Sequence, residues 1–152
     1  MMDTHEKIEE GIRKFLERLD IIPDAIEIKP HVLHPIFSIK TKDRVLTDET
    51  LSEIIQALNH LIKGILFKEI GKEEQFLIDI NSYQEKKLQD LETSALLLAE
   101  RARAFKRNVE LGPMNAYERM VIHSLFTKNA HIETTSVGEG RLRRVVLQYT
   151  EL

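Results

Sequence analysis

The chain has 152 residues, of which 42% are hydrophobic and 31% charged, as expected for a globular protein of one domain or two small ones. It contains no cysteine, which excludes disulfide bonds and thiolate metal sites. Its longest apolar run, residues 95–99, is far too short to cross a membrane, and no signal-peptide pattern precedes the first charged residues. We therefore expect a cytoplasmic protein without a membrane span.

The net charge of −3 is distributed unevenly along the chain. Residues 1–82 carry 11 Lys and Arg against 16 Asp and Glu, whereas residues 83–152 carry 11 against 9. Because affinity for nucleic acid depends largely on neutralising phosphates, the acidic N-terminal half is a poor surface for it. Any contact with nucleic acid is therefore expected in the C-terminal half.

The first half of the chain predicts the order helix, strand, strand, helix, strand. Apolar residues at helical spacing from Ile8 to Leu19 predict a helix that ends before Pro23. Two short strands follow at residues 25–29 and 35–40, then a long helix at about 48–67 and a strand at 76–80. The long helix carries a wide apolar stripe that we expect to be core: Leu51, Ile54, Ile55, Leu58, Leu61, Ile62, Ile65 and Leu66.

The second half predicts helices packed against a three-stranded sheet. A long helix runs from about residue 82 to 107, followed by a short strand at 109–111 and a short helix that begins near Asn115. An antiparallel pair at 132–137 and 142–149 is joined through Gly138-Glu139-Gly140. The fold class predicted for the whole chain is therefore α+β, with two small domains that abut near residue 82.

The short helix carries the most informative residues. Asn115 is a good N-cap, and Glu118 stands three residues later, where it can complete a capping box. Arg119 and His123 lie one turn apart on a face that we predict to be free of core residues, with Tyr117, Met120, Val121 and Leu125 on another stripe. The arginine and the histidine can then act on one phosphate or base edge. By itself the Arg-x-x-x-His spacing is common, and a solvated helix face would explain it.

Three segments together resemble a known family. They are residues 112–119 with His123, residues 139–147 (Glu-Gly-Arg-Leu-Arg-Arg-Val-Val-Leu), and residues 77–87 (Leu-Ile-Asp-Ile-Asn-Ser-Tyr-Gln-Glu-Lys-Lys). The first two closely resemble the C-terminal domain of the bacterial Jag (SpoIIIJ-associated) proteins, the "R-three-H" module associated with single-stranded nucleic acid. The third looks like that family's strand-to-helix junction. The resemblance covers most of the chain from about Ile8 to Tyr149 and is strongest in the last seventy residues.

The resemblance implies a domain division and a function. It implies a type II KH-like domain at residues 1–82 and an R-three-H-like domain at 83–152, without the family's usual N-terminal domain. The expected function is binding of single-stranded RNA, or of single-stranded DNA, by a post-transcriptional or cell-envelope and division regulator. The alternative is a protein-interaction adaptor that pairs with another KH protein or forms a homodimer through the KH-like domain.

The KH-like half departs from the family pattern at its nucleic-acid loop. A KH domain clamps nucleotides with a Gly-x-x-Gly loop, but this chain has no glycine between Gly11 and Gly64. The corresponding segment is Val45-Leu46-Thr47-Asp48-Glu49, whose side chains block a close backbone approach and whose acids repel phosphate. We expect this half to be degenerate and to have lost its own grip on nucleic acid.

The nucleic-acid site is therefore expected in the second half, at Arg119, His123, Arg143, Arg144 and Arg107. Arg143 and Arg144 are predicted to enter the last strand and alternate across its faces. Without the resemblance, they would be interpreted as charged residues that protect an exposed strand edge from pairing with another chain. The cations at the end of the long helix suit either its dipole or a phosphate-facing rim, with equal weight: Arg101, Arg103, Lys106 and Arg107. Phe126 and Tyr149 could stack on bases, although core or edge packing is favoured for both.

Enzymatic and metal-dependent functions find no support in the sequence. His31 and His34 have no third ligand nearby, and there is no phosphate-binding Gly-rich loop, nucleophile elbow or spaced acidic pair. We expect a binding protein without a catalytic residue, metal or cofactor.

Overall fold

A computed structural model describes residues 1–43, 47–71 and 74–151, and describes Asp48 without its side chain. The chain folds as two compact units, Met1–Lys86 (unit 1) and Lys87–Leu152 (unit 2). The predicted α+β class is confirmed. The described elements are α1 (Thr4–Arg18), β1 (Ala25–Lys29), β2 (Ile36–Lys40), α2 (Asp48–Ile70), β3 (Leu77–Ile80), α3 (Tyr83–Phe105), β4 (Val109–Glu110), α4 (Ala116–Phe126), β5 (Ile132–Val137) and β6 (Arg144–Tyr149).

Unit 1 has the predicted order of helices and strands. Its sheet has the strand order β1-β2-β3, with β1 antiparallel and β3 parallel to β2. Helix α1 begins with a capping box of Asp3 and Glu6, and its buried residues recur every four positions. The sheet and both helices share one core: Ile8, Ile12, Leu16, Phe37, Ile39, Leu51, Ile55, Leu58, Ile62, Leu66, Phe76, Ile78 and Ile80.

The apolar stripe of α2 is wider than the core that it meets. Leu61 and Ile65, both predicted as core, are 49% and 51% exposed. The reason is geometric, because α2 presents one face to α1 and β3, and a stripe of this width extends past that contact. In the loop before α2, Val45, Leu46 and the side chain of Asp48 lie outside the described residues, so the predicted loss of the nucleic-acid loop stays a prediction.

The start of α3 is held by a buried carboxylate on β3. The side chain of Asp79 accepts hydrogen bonds from the backbone N–H groups of Gln84 at 2.9 Å and Glu85 at 3.0 Å, and from that of Ile80 at 2.8 Å. It thereby satisfies donors in the first turn of α3 that have no partner inside the helix. The aspartate of the predicted strand-to-helix junction thus has a structural role.

Unit 2 packs α3 and α4 against a sheet with the strand order β4-β6-β5, in which both pairings are antiparallel. Alanines at spacings of four and three on α3 face the core, where their small side chains allow close packing. The core also contains larger residues from α4 and the sheet: Ile122, Phe126, Ile132, Val145 and Leu147. None of the described helices has an apolar stretch of the length that a membrane crossing requires.

The predicted start of the last strand is wrong by two residues. Residues 140–142 form a 3-10 turn, and β6 begins at Arg144, opposite Val137. The cause is the backbone of Gly138 and Gly140, whose φ angles of +87° and +54° turn the chain out of the extended conformation. Arg143 therefore lies in an extended conformation one residue before the strand, and its predicted place inside the strand is wrong.

Candidate nucleic-acid interface

The predicted capping box fixes the start of α4. The Asn115 side chain accepts a hydrogen bond from the Glu118 N–H at 2.9 Å, and the Glu118 carboxylate accepts one from the Asn115 N–H at 2.9 Å. Lys87 also pairs with Glu118 at 3.3 Å. The negative charge at this helix end is thus partly neutralised, which reduces its repulsion of a nearby phosphate.

Arg119 is tied to the segment that precedes its own helix. Its Nη1 donates to the backbone carbonyl oxygen of Met114 at 2.8 Å, and the Met114 N–H donates to the carbonyl oxygen of Arg143 at 3.2 Å. These two bonds connect the Arg119 guanidinium to the turn before β6, which we call the arginine turn (residues 138–143). The guanidinium keeps further N–H donors that the bond to Met114 does not use.

Arg119 and the arginine turn share an open cleft, which we call the arginine cleft. It is lined by Pro113, Met114, Asn115, Ala116, Glu118, Arg119, Gly140 and Arg141. Arg141 and Arg143 are both exposed. Arg141 was not among the residues selected from the sequence. The sequence feature that could have identified it is its position directly after Gly140, because a turn at a glycine exposes the next side chain.

His123 is held by the sheet. Its Nδ1 lies 2.6 Å from the hydroxyl oxygen of Thr134, and its Nε2 lies 2.9 Å from that of Ser136, both on β5. The helix face of Arg119 and His123, which we predicted to be free of core residues, therefore rests partly on β5. Burial first, and the positive charge of Arg119 second, lower the pKa of His123, which favours its neutral form. A contact between its ring and nucleic acid stays a prediction.

Arg144 is engaged in an ion pair across the sheet. Its Nε donates to the Glu110 carboxylate on β4 at 2.7 Å, and its Nη1 donates to the carbonyl oxygen of Leu142 at 3.3 Å. The hydrogen bond from Arg144, together with its charge, lowers the pKa of Glu110. Arg144 therefore has less of its guanidinium available for a ligand than Arg141 or Arg143.

Arg107 lies at the other end of the sheet. It precedes β4, whose Val109 pairs with Leu147 near the end of β6, whereas Arg143 precedes the start of β6. A strand rises roughly 3.3 Å per residue, so the length of β6 places Arg107 well away from the arginine cleft. The structure brings Arg119 and Arg141 to one cleft, with the backbone of Arg143 bonded to Met114 beside it, and does not bring Arg107 there.

The candidate aromatic residues are in packed positions. Phe126 is buried in the core of unit 2, and Tyr149 stacks on His131 with ring centroids 6.1 Å apart. Met120, predicted on a stripe with Val121, is half exposed, whereas Val121 is buried. Among the residues that the structure describes, no group of three or more His, Asp or Glu could hold a metal ion.

The shape of the arginine turn depends on Gly138, and we expect Gly138→Ala to lower the free energy of unfolding of unit 2 by about 2 kcal/mol. A Cβ there would lie 2.9 Å from the carbonyl oxygen of Leu142, at a φ of +87°. Gly112→Ala is the matched control, since a Cβ at Gly112 has no heavy atom within 4 Å among the described residues. Chemical denaturation monitored by amide hydrogen exchange in unit 2 measures the free energy of unfolding of both variants. Equal stability of the two variants would contradict a strained turn.

Comparison with known proteins also identifies a nucleic-acid-associated domain in unit 2. Residues 87–149 match the R-three-H domain family. The RNA-binding protein KhpB of Clostridium symbiosum is 30% identical over 95 residues, which are 62% of this chain and 43% of that protein. The protein of the same name from Bacillus subtilis (strain 168) is 29% identical over 99 residues, which are 64% of this chain and 48% of that protein. In Lactiplantibacillus plantarum the KhpB protein is 29% identical over 93 residues, which are 61% of this chain and 29% of that protein.

The chain spans less than half the length of these relatives. The matched domain coincides with unit 2, which contains the capped helix α4, the arginine cleft and the arginine turn. On this match, residues 87–149 form an R-three-H domain, and the chain is similar over part of its length to RNA-binding proteins named KhpB.

Proposed function

We propose that this chain binds single-stranded RNA through the arginine cleft of unit 2. The observation that carries the proposal is that Arg119 of α4 and Arg141 of the arginine turn line one open cleft. Guanidinium groups bind phosphate with paired N–H donors, and two of them at one cleft can hold a phosphate of a strand from two sides. The name of the KhpB relatives, RNA-binding protein, supports RNA as the ligand.

The residues have different roles in this proposal. Arg119 and Arg141 contact phosphate in the cleft, and Arg143 extends the surface beside them. His123 is a positioning residue that holds α4, and therefore Arg119, against β5. Arg144 contributes less, because Glu110 already pairs with it. The function is non-enzymatic binding in the cytoplasm, and unit 1 is a degenerate KH-like domain that leaves this task to unit 2.

Substitutions in the arginine turn test the proposal. In Arg141→Ala and Arg143→Ala the affinity for a labelled single-stranded RNA is expected to fall severalfold each. The salt dependence of binding is expected to become shallower, by roughly 0.7 in the slope of log K against log salt for each lost phosphate contact. Titrations by fluorescence anisotropy at two or more salt concentrations measure both quantities. Single-stranded DNA of the same sequence shows whether RNA is preferred.

Arg18→Ala is the control for the charge change. Arg18 is an exposed arginine in the last turn of α1, so its loss removes one positive charge from the unit that does not contain the cleft. Equal weakening in all three variants would mean that only net charge matters, and the cleft would not be the site.

A protein-interaction role for unit 1 is the second candidate. Leu61 and Ile65 are about half exposed and lie one turn apart on α2, which suits a contact with another KH protein or with a second copy of the chain. If the wild-type chain fails to bind RNA or DNA at low salt, this adaptor role replaces the RNA-binding proposal.

A further inference from the structure

The C-terminal end of α3 presents an aromatic ring to solvent. Phe105 is the last residue of the helix and is 72% exposed, whereas Ala102, one turn before it, is fully buried in the core of unit 2. A large apolar side chain gains nothing for folding in such a position, because burial is what stabilises it. The other large aromatic residues of unit 2 are at least partly buried: Tyr117, Phe126 and Tyr149.

Backbone hydrogen bonds fix the end of the helix that carries Phe105. The N–H of Arg107 donates to the carbonyl oxygen of Ala102 at 3.1 Å, and the N–H of Lys106 donates to that of Arg103 at 3.3 Å. With Lys106 at a φ of +50°, these bonds form a Schellman motif, which ends the helix at Phe105. Phe105 and Arg107 therefore leave a rigid helix end and do not lie on a flexible tail.

The surroundings of Phe105 are cationic. Arg101 lies one turn before it on the same helix face, Arg107 follows two residues later, and both are exposed. No acidic residue occurs between Arg101 and Val109 in the sequence. Lys106 pairs with Glu151 through an exposed contact of 3.3 Å, and such pairs are weak. The guanidinium of Arg103 donates hydrogen bonds to the side-chain oxygens of Glu100 and Asn129.

A favourable interaction with the helix dipole explains the cations but does not explain the ring. Positive side chains near a helix C-terminus are stabilising, whereas an exposed phenylalanine among them is not. Proteins that bind single strands combine an aromatic ring, on which a base stacks, with cations that follow the backbone phosphates. The combination at the end of α3 has both parts, and its charge favours an anionic ligand over an apolar protein surface.

We propose that Phe105 is a stacking platform for an unpaired base of single-stranded RNA, with Arg101 and Arg107 contacting the phosphates beside it. This inference rests on the proposed function and extends it, because Phe105 belongs to the end of the sheet opposite the arginine cleft. A strand that occupies both places must be longer than one that fills the cleft alone. Arg107, which the cleft does not include, has its role here.

A single tryptophan provides the direct test, since the chain has none of its own. In Phe105→Trp, saturating single-stranded RNA is expected to quench the tryptophan fluorescence, because stacking on a base does so. In Phe105→Ala and Phe105→Leu, affinity is expected to fall about fivefold to tenfold, in line with the measured value of one stacked base. The salt dependence of binding should stay unchanged, since no phosphate contact is lost.

Leu97 offers the matched control. It lies two turns before Phe105 on the same helix and is 64% exposed. Leu97→Ala is expected to bind RNA like the wild type, and the fluorescence of Leu97→Trp should not change with RNA. A similar quench in both tryptophan variants would mean a nonspecific effect and would overturn the inference.

The outcomes separate this inference from the proposed function. In one outcome, the Arg141 and Arg143 variants lose affinity, Phe105→Ala binds normally and Phe105→Trp is not quenched. The stacking role of Phe105 is then wrong, and RNA binding by the arginine cleft is supported. If Phe105 variants respond while the arginine-turn variants do not, the cleft is wrong and the platform stands. If the wild type binds no single strand at low salt, both are wrong.

Discussion

Arg119→Ala is expected to lower the affinity for single-stranded RNA about tenfold to a hundredfold, the largest loss from any single substitution in the arginine cleft. A hydrogen bond to a charged group is worth about 1.5–3 kcal/mol, and each 1.4 kcal/mol corresponds to a factor of ten in affinity. Arg119 differs from Arg141 and Arg143 in that its guanidinium is already oriented by the bond to the carbonyl oxygen of Met114. A side chain held in place loses less entropy when it binds.

Arg119→Lys separates charge from shape. Lysine keeps the positive charge but lacks the planar fork that binds a phosphate with two N–H groups. We expect the salt dependence of binding to remain near that of the wild type, with affinity between those of the wild type and the alanine variant. Anisotropy titrations over a range of salt concentrations measure both quantities.

The fold must be checked in the same variants. Losing the hydrogen bond to Met114 is expected to cost about 1 kcal/mol of stability, so both variants should remain folded at the temperature of the titration. Arg119→Ala with unchanged affinity and unchanged salt dependence would contradict a phosphate contact at this position.

The sequence alone predicted much of what positions the site. The strands 25–29 and 132–137 have their predicted bounds, and the capping box of Asn115 and Glu118 is present. These features depend on local rules, namely alternation of apolar residues and satisfaction of the first N–H groups of a helix. Local rules can be read from neighbouring residues, which explains why they succeeded.

The features that were missed depend on residues far apart in the chain. The partners of His123 are Thr134 and Ser136 on another element, and the partner of Arg144 is Glu110, which is 34 positions away. Helical spacing places His123 on a face but does not show what that face meets. In the same way, the apolar stripe of α2 does not indicate that Ile65 remains half exposed.

The arginine cleft was missed for a related reason. Arg141 reaches it because the left-handed backbone of Gly138 and Gly140 turns residues 140–142 into a 3-10 turn. The sequence showed the glycines as a hairpin connection, but the length of that connection was underestimated. The difference of two residues moves Arg143 out of the strand, whereas the place of Arg141 beside Arg119 follows from the shape of the turn, which the sequence did not show.

The second large effect concerns stability and its dependence on pH. His123→Ala is expected to lower the free energy of unfolding of unit 2 by about 2 kcal/mol at neutral pH, since it removes hydrogen bonds to Thr134 and Ser136 that are each worth about 1 kcal/mol. Thr135→Val is the control on the same strand. Its hydroxyl donates to the exposed side chain of Gln148 at 3.0 Å and does not contact His123.

The sign of the pH effect follows from the lowered pKa of His123. The folded state binds the proton less tightly than the unfolded state, whose histidine titrates near 6.5. The contribution of His123 is therefore fully present above that pH and is lost as the pH falls through 6.5 towards the lower folded pKa. His123→Ala should flatten this part of the profile. The stability of unit 1 should keep a similar dependence on pH in this variant, because burial lowers the pKa of His34.

Amide hydrogen exchange in α4 and β5 distinguishes this local effect from unfolding of the whole chain. Faster exchange confined to these two elements is expected in His123→Ala and not in Thr135→Val. If both variants exchange alike, the histidine does not hold the helix to the sheet. Its place one turn from Arg119 would then point to a direct contact with RNA.

If α4 does loosen, the affinity loss in His123→Ala comes from a displaced Arg119. Arg119→Ala added to it should then cost less than the two separate losses combined.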